Sequence, residues 1–456
     1  MTDPETDVEQ GARVAIAGAG LAGCLLATLL GRRGVEVTVY ERREDPRVTP
    51  PERGRSINLA ISARGLEALD HVGLRELTLS RALPMHGRMV HSPEGQQSFR
   101  PYSADGTHAI NSISRAELNL ALIDVAEKTP GVTIEFGHRL TDLDMDTGEM
   151  TFETPARRRK HRTALAGIVL AADGAYSAAR RSVTFRQGFT FSQDYLEHGY
   201  KELTVPARDG QFALDPDALH IWPRGSSMMI ALPNLDRSFT CTLFWTGAEF
   251  AALRGADDIT GHFRRHYGDV AGLIPNLVDD YLNNPIGSLA TIRCWPWVHH
   301  GAGCVLALVG DAAHAIVPFF GQGANCAFED CVEIDLCLSD GGGDWPAALT
   351  AYEQRRKENC DAIADMALDN FVEMRDRVNS RVFQAKTAAR HALERKLPGR
   401  YVSRYELVSF TTMPYAQIPE RMRRQERATA LAAAGAAGLA GLLAACVSTA
   451  GRRRHR

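Results

Sequence analysis

The sequence predicts an α/β protein: a Rossmann-like dinucleotide-binding domain, an antiparallel sheet inserted into it as a second domain, and a helical C-terminal region. Three observations predict it. Short apolar strands run directly into glycine turns at Gly18, Asp173-Gly174 and Gly310-Asp311. Residues 185–300 carry alternating apolar and polar stretches with no βαβ rhythm. Residues 345–430 read as helical throughout. With 45% hydrophobic and 23% charged residues, the chain is neither disordered, collagen-like nor polytopic. A net charge of −3 gives no overall pull toward nucleic acid.

The first element is Arg13–Ala17, followed at once by Gly18-Ala-Gly20-Leu21-Ala22-Gly23, an apolar helix through Leu30, and the strand Val35–Tyr40 ending at Glu41. This is a complete strand–GxGxxG–helix–strand–acid unit. Gly18 permits the tight turn, Gly20 leaves room for a pyrophosphate, and Gly23 lets the helix pack close to the strand. The helix N-terminus supplies free N–H groups and partial positive charge to the phosphates. Glu41 suits the two ribose hydroxyls of an adenosine and disfavours a 2′-phosphate, so the turn fits FAD or NAD better than NADP.

A polar loop ends in Arg53-Gly-Arg55-Ser-Ile-Asn58-Leu-Ala60, and Leu66, Leu69 and Leu74 then mark one buried helical face. Residues 84–104 alternate as strands do. Ser114 is the expected N-cap of the next helix, with Glu117 as its capping-box partner. The basic run 156–163 reads as a solvated hairpin tip, because no aromatics interleave it. The strand Val305–Val309 leads into Gly310-Asp311, His314 and Pro318-Phe319-Phe-Gly321-Gln-Gly323-Ala324-Asn325, then a helix with carboxylates at Glu329, Asp330 and Glu333. Asp311 is placed to bind sugar or ribityl hydroxyls, and the Gly321–Gly323 loop lets backbone approach a flat ring. His314 reads as a structural turn histidine rather than a base.

These boundaries give a discontinuous nucleotide domain (1–75, 106–184 and 300–345), a substrate domain (76–105 and 185–299), a helical region (346–427) and an Ala-rich tail (428–456). None of the nine cysteines forms a CxxC pair or a zinc spacing, so no metal site is expected and the chain reads as a reduced intracellular protein. Cys326, Cys331 and Cys337 read as buried thiols of one helix. Residues 1–12 resemble no secretion signal. The uncharged run 428–451 lies between arginine clusters and is long enough to cross a bilayer, yet alanine inserts poorly. A membrane-associated tail, a docked helix and a disordered tail all stay open, so the expected location is cytoplasmic or membrane-associated through that tail.

Gly18–Gly23, Asp173-Gly174 and Gly310-Asp311 together resemble the single-component flavin-dependent aromatic hydroxylases of the p-hydroxybenzoate hydroxylase class. The segments Arg55–Ala60, Ser114–Asn119, His198–Leu203, Leu219–Gly225, Ile230–Asn234, Pro318–Gly323 and Glu373–Arg375 narrow the resemblance to the branch that hydroxylates L-kynurenine. It covers residues 12–425.

The resemblance implies an FAD-binding domain with adenosine on Glu41 and pyrophosphate on Gly18, Gly20, Leu21, Ala22 and Gly23. Arg42, Arg55, Asn58, Arg115, Asp173, Asp311, Gly321, Gly323, Ala324 and Asn325 would lie along the cofactor. It implies Pro318 and Phe319 as the catalytic lining of the flavin face. Arg88, Tyr102, Asn370 and Tyr405 become substrate contacts, with Phe244 on the apolar wall. NADPH would reduce the flavin without a fold of its own, and O2 would react through a flavin C4a-hydroperoxide to give 3-hydroxy-L-kynurenine. The residues alone do not single out Arg88, one arginine among 46. They also leave open a hydroxylase for another aromatic substrate, a non-hydroxylating FAD reductase, and an NAD-dependent dehydrogenase.

Overall fold

The computed structural model of the chain describes residues 14–49, 58–103, 105–154, 157–373 and 401–431. Its first layer is a six-stranded sheet in the order Val298–His300, Val305–Leu308, Ile168–Ala171, Val14–Ala17, Val37–Tyr40, Val132–Glu135. All neighbours run parallel except the antiparallel edge strand Val298–His300. Val14–Ala17 and Ile168–Ala171 are buried at every position, which is why they read as continuous apolar runs rather than alternating ones. The helix Leu21–Arg32 packs between this sheet and the helices Arg115–Lys128 and Gly323–Asp340.

The inserted domain is a seven-stranded sheet in the order Gly287–Trp295, Thr190–Val205, Phe239–Thr246, Ser227–Pro233, Ala218–Arg224, Gly87–His91, Gln97–Pro101. It is antiparallel as predicted, except that Gly87–His91 runs parallel to Ala218–Arg224, with Arg88 opposite Leu219. Side chains alternate across it. Trp222, Met229, Ala231, Cys241 and Leu243 face one core; Ile221, Met228 and Phe244 face the nucleotide domain.

The sequence reading of 185–300 as sheet missed four short helices, Gly247–Ala252, Ala256–His266, Gly268–Ala271 and Leu277–Asn283. They cover the outer face of the sheet with Phe250, Ile259, Phe263, Tyr267 and Tyr281. Burying each such side chain contributes roughly 1.5–3 kcal/mol, so this layer is a substantial second core.

Three further expectations need correction. The basic run is mostly an edge strand rather than a hairpin tip: Arg157–Leu165 pairs antiparallel with Glu149–Thr154. Basic residues on an edge strand oppose further strand pairing. Ser114 does cap the helix Arg115–Lys128 by accepting from Glu117 N, but the reciprocal half of the capping box is absent and Glu117 lines a cavity instead. The C-terminal region is not continuously helical: after Trp345–Val372, residues 411–414 are irregular between Arg404–Ser409 and the turn Tyr415–Gln417. Among the described residues no helix is long and apolar enough to cross a membrane. The Ala-rich tail from 432 onward, like Arg55, lies outside them.

Candidate active site

The glycine turn follows directly on Val14–Ala17. Gly18 has φ +102°, and a Cβ there would meet Ala172 O at 2.6 Å. A Cβ on Gly23 would lie 1.9 Å from Gly18 O, whereas one on Gly20 would meet nothing within 4 Å. The turn is therefore closed against protein at Gly18 and Gly23 and open outward at Gly20. The backbone of Leu21, Ala22 and Gly23 forms the first turn of the helix facing that opening. Glu41 is buried at the end of the second strand, where it accepts from Ala19 N (2.9 Å) and Arg43 Nε (2.8 Å). Asn119 donates to Ala19 O (3.4 Å), which brings the helix begun by the exposed Arg115 against the same turn. Arg42 is exposed beside Glu41.

At the next strand end, Asp173 Oδ2 accepts from Ala178 N (2.6 Å) and Ala179 N (3.2 Å), while the buried Oδ1 has no hydrogen-bond partner. Burial pushes its carboxyl pKa up despite these bonds. Asp173 thus caps the helix Ala178–Val183 and keeps one oxygen unsatisfied. Asp311 follows Gly310 at the end of Val305–Leu308, is half-buried, and makes no side-chain hydrogen bond among the described residues. An open glycine cradle at a helix N-terminus and two carboxylates with oxygens to spare fit a dinucleotide lying across the strand ends.

Two of the residues implied as cofactor contacts spend their side chains inside the protein. Asn58 Nδ2 lies 2.6 Å from Asn234 Oδ1 and 3.2 Å from Ser112 Oγ, tying the small sheet of Asn58–Ile61 and Ile110–Ser114 to the inserted domain. Asn325 accepts from Ser62 N (3.0 Å) and donates to Ala60 O (2.9 Å) and Gly321 O (2.8 Å). Its amide shapes the loop, and its backbone N–H, with those of Gly323 and Ala324, lies in the first turn of Gly323–Asp340, where no intrahelical carbonyl can accept from it. Gly321 adopts φ +64° and lies against Ala60, where a Cβ would sit 2.8 Å from the Ala60 methyl carbon.

The loop is fixed from behind. Asp330, fully buried, accepts from Gly310 N (3.0 Å), His314 Nε2 (2.5 Å) and Arg356 Nε (2.8 Å). Burial alone would raise its carboxyl pKa, but His314 and Arg356 outweigh that and hold it low. Asp330 in turn keeps His314 protonated against the burial penalty, so His314 is a turn residue. Glu329 joins Arg356 (3.1 Å) to Arg64 (2.7 Å), and Arg64 lies 3.8 Å over the Tyr415 ring. No sequence pattern marked Arg64 or Arg356; only their burial reveals them.

The residues that the resemblance implies as substrate contacts form two linked clusters. Arg88, Tyr102 and Tyr405 come together: the Tyr102 and Tyr405 rings stack at 4.8 Å, and the Arg88 guanidinium lies 4.5 Å from the Tyr405 centroid and 5.8 Å from that of Tyr102. Arg88 Nε and the Tyr102 hydroxyl are buried without a hydrogen-bond partner. Phe319 packs against Phe244 (5.1 Å), stacks on Phe371 (4.3 Å), and its carbonyl accepts from Asn370 Nδ2 (2.7 Å). Phe320 stacks on Tyr405 at 5.9 Å, so the turn Pro318–Phe320 joins the clusters, with Pro318 itself exposed. Phe371 and Phe320 were missed as wall residues although each adjoins a predicted one, Asn370 and Phe319.

Residues 11–273 match the family described as FAD binding domain. Solved structures share the fold: 2-methyl-3-hydroxypyridine-5-carboxylic acid oxygenase (TM-score 0.65, 20% identity, 87% of this chain and 95% of that one) and PqsL of P. aeruginosa in complex with 2-aminobenzoylacetate (0.63, 20%, 80% and 97%). Fold, groove and family match define a flavoprotein monooxygenase that carries FAD. Proteins named kynurenine 3-monooxygenase are 47% identical over 88% of this chain and 86% of the Myxococcus xanthus protein, and 43% identical over 88% and 89% for that of Dictyostelium discoideum. The one from Sus scrofa is 39% identical over 91% and 87%. The chain belongs to the kynurenine 3-monooxygenase family.

Proposed function

We propose that this chain hydroxylates L-kynurenine at the ring carbon ortho to its amine, consuming NADPH and O2 and releasing 3-hydroxy-L-kynurenine. One observation carries the reading: Arg88, half-buried with a buried and unpartnered Nε, linked through Tyr405 and Phe320 to an aromatic wall of Phe244, Phe319 and Phe371. An amino acid with a free carboxylate and an aryl ketone needs such a seat and such a wall. The names of the relatives support the choice of substrate.

FAD, reduced by NADPH, supplies the electrophilic oxygen; the chain supplies the rest. Arg88 binds the carboxylate through charge-assisted hydrogen bonds. Tyr405 and Tyr102 hold the guanidinium by stacking, and Tyr102 stays a neutral phenol because burial, aided by Tyr405, pushes its pKa well up. Phe244, Phe319 and Phe371, all buried, flank the ring and exclude water. Asn370 fixes the Phe319 carbonyl and with it the turn that presents Pro318. The aniline nitrogen already donates electrons into the ring, so the chain needs no strong base, and His314 is committed to Asp330.

The test is direct. L-Kynurenine added to the holo-protein should speed NADPH oxidation and yield a product heavier by one oxygen atom. If neither happens while a phenolic carboxylate does both, the substrate belongs to another hydroxylase branch.

A further inference from the structure

Behind the flavin loop, two thiols from different helices meet. Cys326, in the first turns of Gly323–Asp340, has its Sγ 3.6 Å from that of Cys360 on Trp345–Val372, and both are fully buried. Arg356 NH2 lies 3.2 Å from Cys326 Sγ and 3.7 Å from Cys360 Sγ. Six other cysteines are buried among the described residues, and this is the pair whose sulfurs meet. We propose that Cys326 and Cys360 are a peroxide-oxidisable pair that closes to a disulfide and loosens the cofactor loop.

The surroundings assign the roles. The hydrogen bond the two thiols share, Arg356, which lies closer to the Cys326 sulfur than to that of Cys360, and His314 nearby together bring the Cys326 thiol down to about 6, while burial holds Cys360 protonated. Cys326 is therefore the attacking thiolate and Cys360 the resolving thiol. His314 and Asp330 complete a four-ligand set with the two sulfurs within 4.8 Å, but the Arg356 guanidinium already fills the cation position, bound to Asp330 as well as to Cys326. That favours thiol chemistry over a metal.

The oxidant is hydrogen peroxide. The Cys326 thiolate attacks one peroxide oxygen, an S–O bond forms, the O–O bond breaks, and hydroxide leaves. Cys360 sulfur then attacks Cys326 sulfur: the S–S bond forms, the S–O bond breaks, and the departing oxygen takes the Cys360 proton as water. The first hydroxide is protonated by the proton that Cys326 had released. Two thiols are oxidised and one peroxide is reduced to two waters. Closing the bond removes the thiolate partner of Arg356. Arg356 holds Asp330, which holds Gly310 N and His314 on either side of Asp311. The loss of that partner is thus passed through Arg356 and Asp330 to the turn that carries Asp311.

The test uses the holo-protein and does not depend on which aromatic substrate it takes. After graded peroxide, non-reducing peptide mass mapping should show a Cys326–Cys360 cross-link lighter by two hydrogens. Released FAD fluorescence should rise several-fold, and dithiothreitol should reverse both. In Cys360→Ser, a sulfenic-acid trap such as dimedone should label Cys326 in preference to Cys331 of the same helix. The proposal is overturned if other cysteines oxidise first, if Cys326 goes straight to sulfinic acid in the wild type, or if the cross-link forms with FAD retained.

Discussion

The Arg88 guanidinium sits 4.5 Å from the centre of the Tyr405 ring, a contact between a strand near the start of the chain and a helix near its end. The side chain is half-buried and stacked, and its buried Nε lacks a hydrogen-bond partner. A carboxylate completes it. Replacing Arg88 by Ala should raise KM for L-kynurenine roughly 10- to 100-fold, from about 1.5–3 kcal/mol for a charge-assisted hydrogen bond. FAD content should not change. Decarboxylated kynurenine, compared in wild type and variant, should show no such difference; a full effect on it would mean that Arg88 acts through folding.

Gly20 and Gly23 should separate cofactor binding from folding. A Cβ at position 23 collides with Gly18 O at 1.9 Å, whereas one at position 20 meets only open space. Gly23→Ala should express poorly or melt well below the wild type. Gly20→Ala should fold as an apo-protein of nearly normal stability and yet bind FAD weakly, because its methyl group occupies the pyrophosphate path. Apo-protein melting and FAD titration check both; tight FAD binding by Gly20→Ala would displace the pyrophosphate from that turn.

Asn370 donates to the Phe319 carbonyl at 2.7 Å. Asn370→Ala leaves that carbonyl buried and unsatisfied, a cost of about 1–3 kcal/mol borne by the turn that presents Pro318. Turnover should fall about tenfold by transition-state arithmetic, with the KM for kynurenine nearly unchanged. A change mainly in KM would make Asn370 a direct substrate contact instead.

Stability should decline on the acid side. His220 is buried, its Nε2 bonded to Asp215 O and its Nδ1 to His91, and burial pulls its pKa from 6.5 to about 4. Below pH 6.5 the unfolded chain takes up a proton that the native state refuses, so stability drops as pH falls from 6.5 toward 4. His220 contributes up to about 3 kcal/mol to that loss. Urea denaturation at pH 7, 5.5 and 4.5 should show the decline, and His220→Gln should flatten it.

Much of this was legible in the sequence because it rests on local patterns. Gly18, Gly20 and Gly23 stand out by spacing alone, and the alternation in Phe239–Thr246 marked a strand, whereas Phe244 was named only through the family resemblance. The helices of 247–283 escaped because none exceeds eleven residues, too short for a helical period to stand out from the flanking strands. One signal was available: Thr246 and Glu249 form a full capping box. Arg88 could not have been found by pattern, since what sets it apart is the pair of rings brought to it by distant segments. Arg64 and Arg356 look like solvated helix charges and are buried only because Glu329 and Asp330 meet them there.

The parallel pairing of Gly87–His91 with Ala218–Arg224 has a consequence for biogenesis. On the ribosome the Arg88 strand emerges long before its neighbour, and Tyr405 emerges later still. A chain clipped before residue 401 would still hold the glycine turn between Val14–Ala17 and Leu21–Arg32, yet would lack the Tyr405 ring that stacks on the arginine. Proteolytic trimming from residue 401 onward would therefore leave a coloured protein whose arginine has lost its stacking partner and, with it, a firm seat for a carboxylate.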